Sequence, residues 1–551
     1  MKNHYKIINQ SNSLLNRIEY IMAMIITIIA LILHIRLFLC AGPLWRDEVN
    51  SIAIATGNSF TYLWENMQYD SFPVLWNIIV RYWVNSGIGV TDIGMRILGL
   101  LAGTSFVIAL WWNARRLFNG IPMISLPLVG ISTAAICYGD TRAHGIGMLL
   151  GLISFSLIWS VTEAPSTMKV LISLIAAILS THLHFYNCIF LLAACVGGMA
   201  VVYKRKNLKE LGIILSIGII TAISMLIYVN SRKNWEELAK YDISIKWIGI
   251  KFAEAVGFAY GNGYDNVPNY WLWIILVIIG IVAAISSNQE RFRHILTDKQ
   301  HDLILYCMVA LIVGVPSYVI FLLILRYYMQ PWYFLILMVL VSVCLDGLII
   351  PMTNNGRYRI MRLIVTGLIV ILTIKPVWLD AGLRKTNIDL IAKKIEQESI
   401  EGDLIMVSPW YYGVTFNRYY HGGFDWIVIP PISYKGFHRY DLIKNQMMSR
   451  DAIKPVEEKI KNTLQSGHRV WFVTNFSGFP NFPENYLPQP IPPAPESPAG
   501  WSEGFYIVNW NIQTCYYIYK NANKVIDETV MPSMKISHYE IAYLLLIEGL
   551  R

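Results

Sequence analysis

The sequence predicts a polytopic α-helical membrane protein with a C-terminal extracytoplasmic α/β domain. Three observations lead there. The chain is 55% hydrophobic and only 15% charged over 551 residues, with a mean hydropathy of +0.46, whereas a soluble chain of this length carries more charge. Apolar runs near membrane-spanning length recur along it. Beyond residue 378 the character changes to turn clusters, prolines and short β-prone runs.

Roughly eleven spans of about twenty residues are expected from length and hydropathy. They lie near 20–40, 93–113, 121–138, 145–161, 168–182, 186–203, 211–229, 270–286, 302–325, 331–350 and 360–378. Lys and Arg set the orientation. Lys2, Lys6 and Arg17 precede the first span. Arg115-Arg116, Lys204-Arg205-Lys206, Arg291/Arg293 and Arg357/Arg359/Arg362 fall on the same side if the spans alternate. Residues 1–19 are then a cytoplasmic N-terminus, 20–378 a transmembrane module, and 379–551 an outer α/β domain. The expected location is the cell's inner (plasma) membrane. The first span is too long for a cleaved signal peptide and lacks a small-x-small site.

The first outer loop, 41–92, is long. Within it, residues 72–83 are apolar but short, hold Arg81, and end on Tyr82-Trp83, which suits a helix lying at the interface. In the tail, Leu404-Ile405-Met406-Val407, Val470-Trp471-Phe472-Val473 and Cys515-Tyr516-Tyr517-Ile518-Tyr519 read as strands, the first two preceded by helix-like polar stretches. Gly422-Gly423 and the proline-rich run 488–493 read as turns and loop. No internal repeat is evident.

The net charge of +9 does not point to nucleic acid, since the basic residues lie mostly in short loops between spans. The seven cysteines show no paired or metal-like spacing, so neither a disulfide framework nor a zinc site is read.

Candidate chemistry gathers on the outer side. Trp45-Arg46-Asp47-Glu48 follows the first span. Neighbouring residues point in different directions, so one carboxylate can enter a site while the other caps or pairs. A single carboxylate suits a transfer whose leaving group is a stabilised anion. Glycoside hydrolysis, by contrast, needs a second to protonate an alkoxide. What remains is deprotonation of an acceptor and neutralisation of a departing phosphate, which is work for arginine. Asp47 fits the first task, and Arg46, Arg142 or Arg326 the second. A polar interfacial loop with a helix cap is the alternative.

Tyr138-Gly139-Asp140-Thr141-Arg142-Ala143-His144 forms an outer hairpin that either serves the site or closes on itself as an ion pair. Arg326-Tyr327 ends a span on that side, as a phosphate ligand set or an aromatic-belt anchor. His182 and His184 emerge there too, as substrate contacts or anchors, together with Tyr69 and Tyr82 of the first loop. A lone His-x-His is weak evidence of a metal. No metal set is evident, and a divalent cation stays open.

These motifs together resemble the GT-C superfamily of membrane glycosyltransferases, in particular bacterial members related to protein mannosyltransferases and the lipid A aminoarabinose transferase. Trp45-Arg46-Asp47-Glu48 resembles the acidic motif of the family's first outer loop, and Ser71-Phe72-Pro73-Val74-Leu75-Trp76 its proline-containing segment. Met95-Arg96-Ile97-Leu98 with Ala114-Arg115-Arg116 is similar to its second span and basic exit. Asp140-Thr141-Arg142-Ala143-His144 resembles its second-loop turn, and Arg326-Tyr327-Tyr328-Met329-Gln330-Pro331 its Arg-Tyr-x-x-x-Pro motif. The likeness covers about residues 15–350. Where the family often has His or Lys before two prolines, Ser71, Phe72 and a single Pro73 stand here, which shifts weight to Arg46, Arg142 and Arg326.

The resemblance implies a GT-C-like fold and inverting transfer of a sugar from a polyprenyl-phosphate donor to an acceptor glycan, lipid or protein at the outer face. It implies Asp47 as general base, with Glu48 beside it, and Asp140 as the second-loop acid. Membrane lipids are expected partners and nucleic acid is not. A flippase or transporter of polyprenyl-linked substrate, and a lipid-glycan ligase or polymerase, are the competing classes. A transporter would place its charges near the bilayer midplane in repeated halves. Here they cluster at one edge.

Overall fold

The computed structural model describes residues 2–139, 141–228, 243–257, 270–287, 296–326, 329–349, 356–490 and 503–551. α1 (Lys2–Cys40) opens the bundle. The first outer loop folds into α2 (Arg46–Ala55), α3 (Phe60–Asn66) and α4 (Val74–Asn85). Then follow α5 (Asp92–Phe118), α6 (Thr133–Tyr138), α7 (Ala143–Glu163), α8 (Thr167–Leu183), α9 (Asn187–Lys204) and α10 (Leu208–Ser224). α11 (Ile245–Gly257), α12 (Tyr270–Ser287), α13 (Asp298–Leu325), α14 (Leu335–Leu348) and α15 (Gly356–Asp380) complete the helical part.

Among the described residues, eight helices are long and apolar enough to cross a membrane, with the shorter apolar helices Thr167–Leu183 and Trp271–Ser286 beside them. Ile21, Ile25, Ile28, Ile32 and Ile35 form an exposed stripe on α1, a surface that suits lipid and not water. Inside, every residue of α14 is buried, and Phe155, Trp159 and Tyr306 pack ring against ring beside it.

The expected span at 121–138 is not one helix. It breaks into a short π-helical turn, Leu126–Gly130, and α6. Pro127 removes a backbone donor there, and the interrupted backbone is satisfied by protein. Asp346 of α14 accepts Ile124 N at 2.9 Å, Ser125 N at 3.1 Å and Ser125 Oγ at 2.5 Å. Irregular backbone at membrane depth persists only where such partners exist. The segment expected at the interface forms the short helix α4.

The tail builds α16 (Ile388–Glu398), β1 (Leu404–Val407), α17 (Tyr412–Tyr419), β2 (Trp426–Val428), α18 (Tyr440–Met447), α19 (Lys454–Gln465), β3 (Val470–Thr474), α20 (Glu503–Asn521), β4 (Ala522–Asp527) and β5 (Tyr543–Leu550). The sheet order is β2-β1-β3-β5-β4. β1 pairs parallel with β2 and β3, and β5 antiparallel with β3 and β4. Every residue of β3 is buried, as expected for a strand covered on both faces.

One strand expectation fails. Cys515–Tyr519 lies inside α20. Its neighbours supply the reason: Tyr506, Ile507, Trp510, Asn511, Thr514, Cys515 and Ile518 are buried, which is helical spacing. The five-residue aromatic run hides that period when viewed alone.

The tail seats on the end of the bundle that carries Asp47. Arg418 pairs with Asp92 at 2.7 Å, and Tyr419 Oη donates to Asp92 at 2.7 Å and accepts Leu44 N at 2.7 Å. Lys385 Nζ donates to the Cys137 carbonyl at 2.7 Å.

Candidate active site

The site begins at the first turn of α2. Trp45 is extended, and Glu48 reaches back to accept Trp45 N at 3.2 Å, the carboxylate half of a capping box. Glu48 also takes both guanidinium nitrogens of Arg96, at 2.6 and 2.9 Å, while Arg96 donates to the Pro43 carbonyl at 2.9 Å. Glu48 is 2% exposed. It is held inside the protein as a cap and ion-pair partner and does not line the cavity described next. Asp47, one position earlier, turns to a different side of the helix.

There it meets Arg142, whose Nη1 donates to Asp47 Oδ2 at 2.5 Å. Arg46 Nε stands 3.7 Å from the other carboxylate oxygen. Arg46 is fixed by donating its Nη1 to the Tyr539 carbonyl at 2.6 Å and its backbone N to Glu540 at 3.0 Å. Arg142 Nε is buried with no hydrogen-bond partner among the described residues, so the guanidinium has donor capacity left for an anion. The Phe72 ring lies 5.1 Å and Trp332 5.9 Å from its Cζ.

These groups line a cavity of about 420 Å³ between the bundle and the tail domain. Arg46, Asp47, Asn50, Tyr69, Asp70 and Arg142 come from the bundle side, with Trp332 and Tyr333 after them in the chain. Trp410, Tyr411, His438, Tyr440 and Glu503 come from the tail. Its size and its aromatic walls with a few convergent charges suit a small polar ligand.

Burial pushes the Asp47 carboxyl up, but Arg142 and Arg46 outweigh it and hold it below the usual range. Burial disfavours the Arg46 charge, and Asp47 with its neighbours more than restores it, so its pKa is raised. Glu503 and Glu540 are each pushed up to about 7 by burial, against the pull of Arg46. His438 is held down at about 4, chiefly by burial, with Asp47 opposing and Arg46 and Arg142 adding to it.

The cavity therefore brings together Arg46, Asp47, Tyr69 and Arg142 of the expected set. Others stand elsewhere. His182 is tied to Tyr228 Oη at 2.8 Å and Ser224 Oγ at 3.0 Å. His184 is buried against His144, with 2.8 Å between Nε2 and Nδ1. Tyr82 is exposed. Arg326 ends α13 in a left-handed conformation, φ 51°, outside the cavity lining. Asp140 and Tyr327 lie outside the described residues. Asp70, Trp332, Tyr333, His438 and Glu503 line the cavity as well, beyond the residues the sequence singles out. Asp70 adjoins Tyr69 in the chain, so its signal is local. The tail residues carry no local signal, because they meet the site only through the fold. Among the described residues no group of three or more His, Cys, Asp or Glu is placed to hold a metal ion.

No family model and no curated protein matches this chain. Solved structures similar to it include the Archaeoglobus fulgidus oligosaccharyltransferase in complex with Zn and sulfate, at 11% identity and TM-score 0.45, covering 82% of this chain and 67% of that one. ArnT from Cupriavidus metallidurans bound to undecaprenyl phosphate is similar at 11% identity and TM-score 0.38, covering 82% of this chain and 92% of that one. The same enzyme in the apo state gives 13% identity and TM-score 0.34 over the same shares, 82% and 92%.

Proposed function

We propose that this chain is an inverting glycosyltransferase that moves a sugar from a polyprenyl-phosphate donor to an acceptor glycan, lipid or protein at the outer face of the cell's inner membrane. The observation that supports it best is the Asp47–Arg142 pair at 2.5 Å in the wall of an aromatic-lined cavity at the end of the helical bundle. The lipid phosphate takes the free donors of Arg142, with Arg46 adding charge. A guanidinium binds phosphate in a planar, two-point mode. The sugar lies against the aromatic wall, and Asp47 receives the acceptor proton. Because phosphate leaves as a stabilised anion, no second carboxylic acid is needed.

The test uses the purified chain in nanodiscs with radiolabelled polyprenyl-phosphate monosaccharides. Transfer or release of label by the wild type, lost in Asp47→Asn with donor binding retained, is the expected outcome. Full turnover in Asp47→Asn removes Asp47 as the base. Absence of turnover with every donor, alongside movement of the lipid between leaflets, would instead make the chain a flippase.

A further inference from the structure

We infer that His438, supplied by the tail domain, is a catalytic residue that holds the acceptor oxygen beside Asp47, so that the tail domain is part of the active site and not a cap over it. This rests on the transferase reading above.

The geometry supports it at several points. Asn50 lies one helical turn after Asp47 on α2, so their side chains share a face. Asn50 Oδ1 accepts the His438 backbone N at 2.7 Å, and Asn50 Nδ2 donates to the Tyr69 carbonyl at 3.1 Å. One side chain thus clamps the His438 loop and the first outer loop to the helix that bears Asp47. The imidazole lines the cavity with Asp47 and Arg142 and is 5% exposed. It packs in a three-ring cluster with Trp410 and Tyr440, each 5.6 Å away by ring centroid. Its Nε2 is buried without a hydrogen-bond partner among the described residues. Leaving such a group unpaired is unfavourable, and a bound hydroxyl would pair it.

Burial and the nearby arginines hold His438 near 4, so the ring is neutral at neutral pH and keeps one N–H donor and one acceptor. The N–H donates to the acceptor oxygen, whose own proton points to Asp47. In the transfer, that proton passes to the Asp47 carboxylate. An oxygen lone pair forms the bond to the anomeric carbon, and the carbon–oxygen bond to phosphate breaks with its electron pair on the lipid phosphate. The His438 N–H holds the attacking oxygen so that its proton faces Asp47 and a free lone pair faces the anomeric carbon.

The experiment compares the wild-type chain, His438→Ala and His438→Gln in nanodiscs. The donors are labelled polyprenyl-phosphate monosaccharides, and the acceptors are a panel of mono- and disaccharides with membrane-extracted glycolipids. Donor binding and donor hydrolysis by water are read in parallel. His438→Ala is expected to lose transfer to the acceptor by at least about tenfold, with hydrolysis, in which water is the acceptor, falling alongside and donor affinity within about twofold of wild type. His438→Gln, which keeps an N–H donor, is expected to recover most of the loss. Equal transfer by wild type and His438→Ala overturns the inference, as does a matching loss of donor binding, which marks a purely structural role. A wild type that turns over no donor overturns the transferase reading itself and the role of His438 with it.

Discussion

Asp47 and Arg142 are 95 residues apart in the chain and meet at 2.5 Å. The pair has two consequences. It keeps Asp47 ionised, and it lowers the carboxylate's appetite for a proton. A donor phosphate that draws Arg142 toward itself relaxes the second effect, so the base strengthens when the leaving group is in place.

Asp47→Asn keeps the shape of the side chain and removes its basicity. Transfer should fall by about two to four orders of magnitude, the usual contribution of a general base. Donor affinity should hold or improve, since a negative charge beside the phosphate is gone. Single-turnover kinetics with labelled donor separate the two.

Arg142→Gln should weaken binding of a labelled polyprenyl phosphate by about tenfold to a hundredfold, in line with the loss of a charge-assisted hydrogen bond worth about 1.5–3 kcal/mol. Arg142→Lys should restore charge but not the two-point geometry, and recover only part. Arg326→Ala, outside the cavity lining, should change binding by less than about twofold. Titration in nanodiscs reads all three.

Glu48 and Arg96 predict a folding phenotype. Arg96→Met leaves the Glu48 carboxylate buried without its bidentate partner, which costs about 3–5 kcal/mol when a buried pair is broken on one side. The expected result is a lower thermal midpoint or loss of monodisperse protein in detergent. Protein that does fold should retain donor affinity.

Glu540 predicts a pH dependence. Its carboxyl is raised to about 7 in the folded protein, above the value near 4.3 of an exposed glutamate. Between those two values the folded state holds the proton and the unfolded state does not, so this group's contribution to stability falls as pH rises through that window and is flat above it. Thermal unfolding of the wild type should show that decline, and Glu540→Gln should make it shallower, leaving the matching share of Glu503.

Much of the helical architecture was legible in the chain. Length and hydropathy marked the spans because a bilayer core demands long apolar helices with internally satisfied backbone. The exception, 121–138, was equally apolar. Its break depends on Asp346, more than two hundred residues away, whose carboxylate satisfies the open backbone. The Cys515–Tyr519 run misled in the same way: five residues show composition, and only the turns on either side show the helical period.

By itself the sequence determined that the chain is a polytopic membrane protein with a separate tail domain, and it marked Asp47 with a nearby arginine as the candidate centre of its chemistry. Composition and local spacing carry that information, because hydrophobic length and the placement of charge are local properties. Only the tertiary structure decided which arginine faces Asp47, that Glu48 is turned inward to Arg96, and that His438 and Glu503 of the tail close the cavity. Those choices depend on how α2, the second-loop hairpin and the tail domain pack at the end of the bundle, and contacts between segments so far apart leave no periodic trace in the chain.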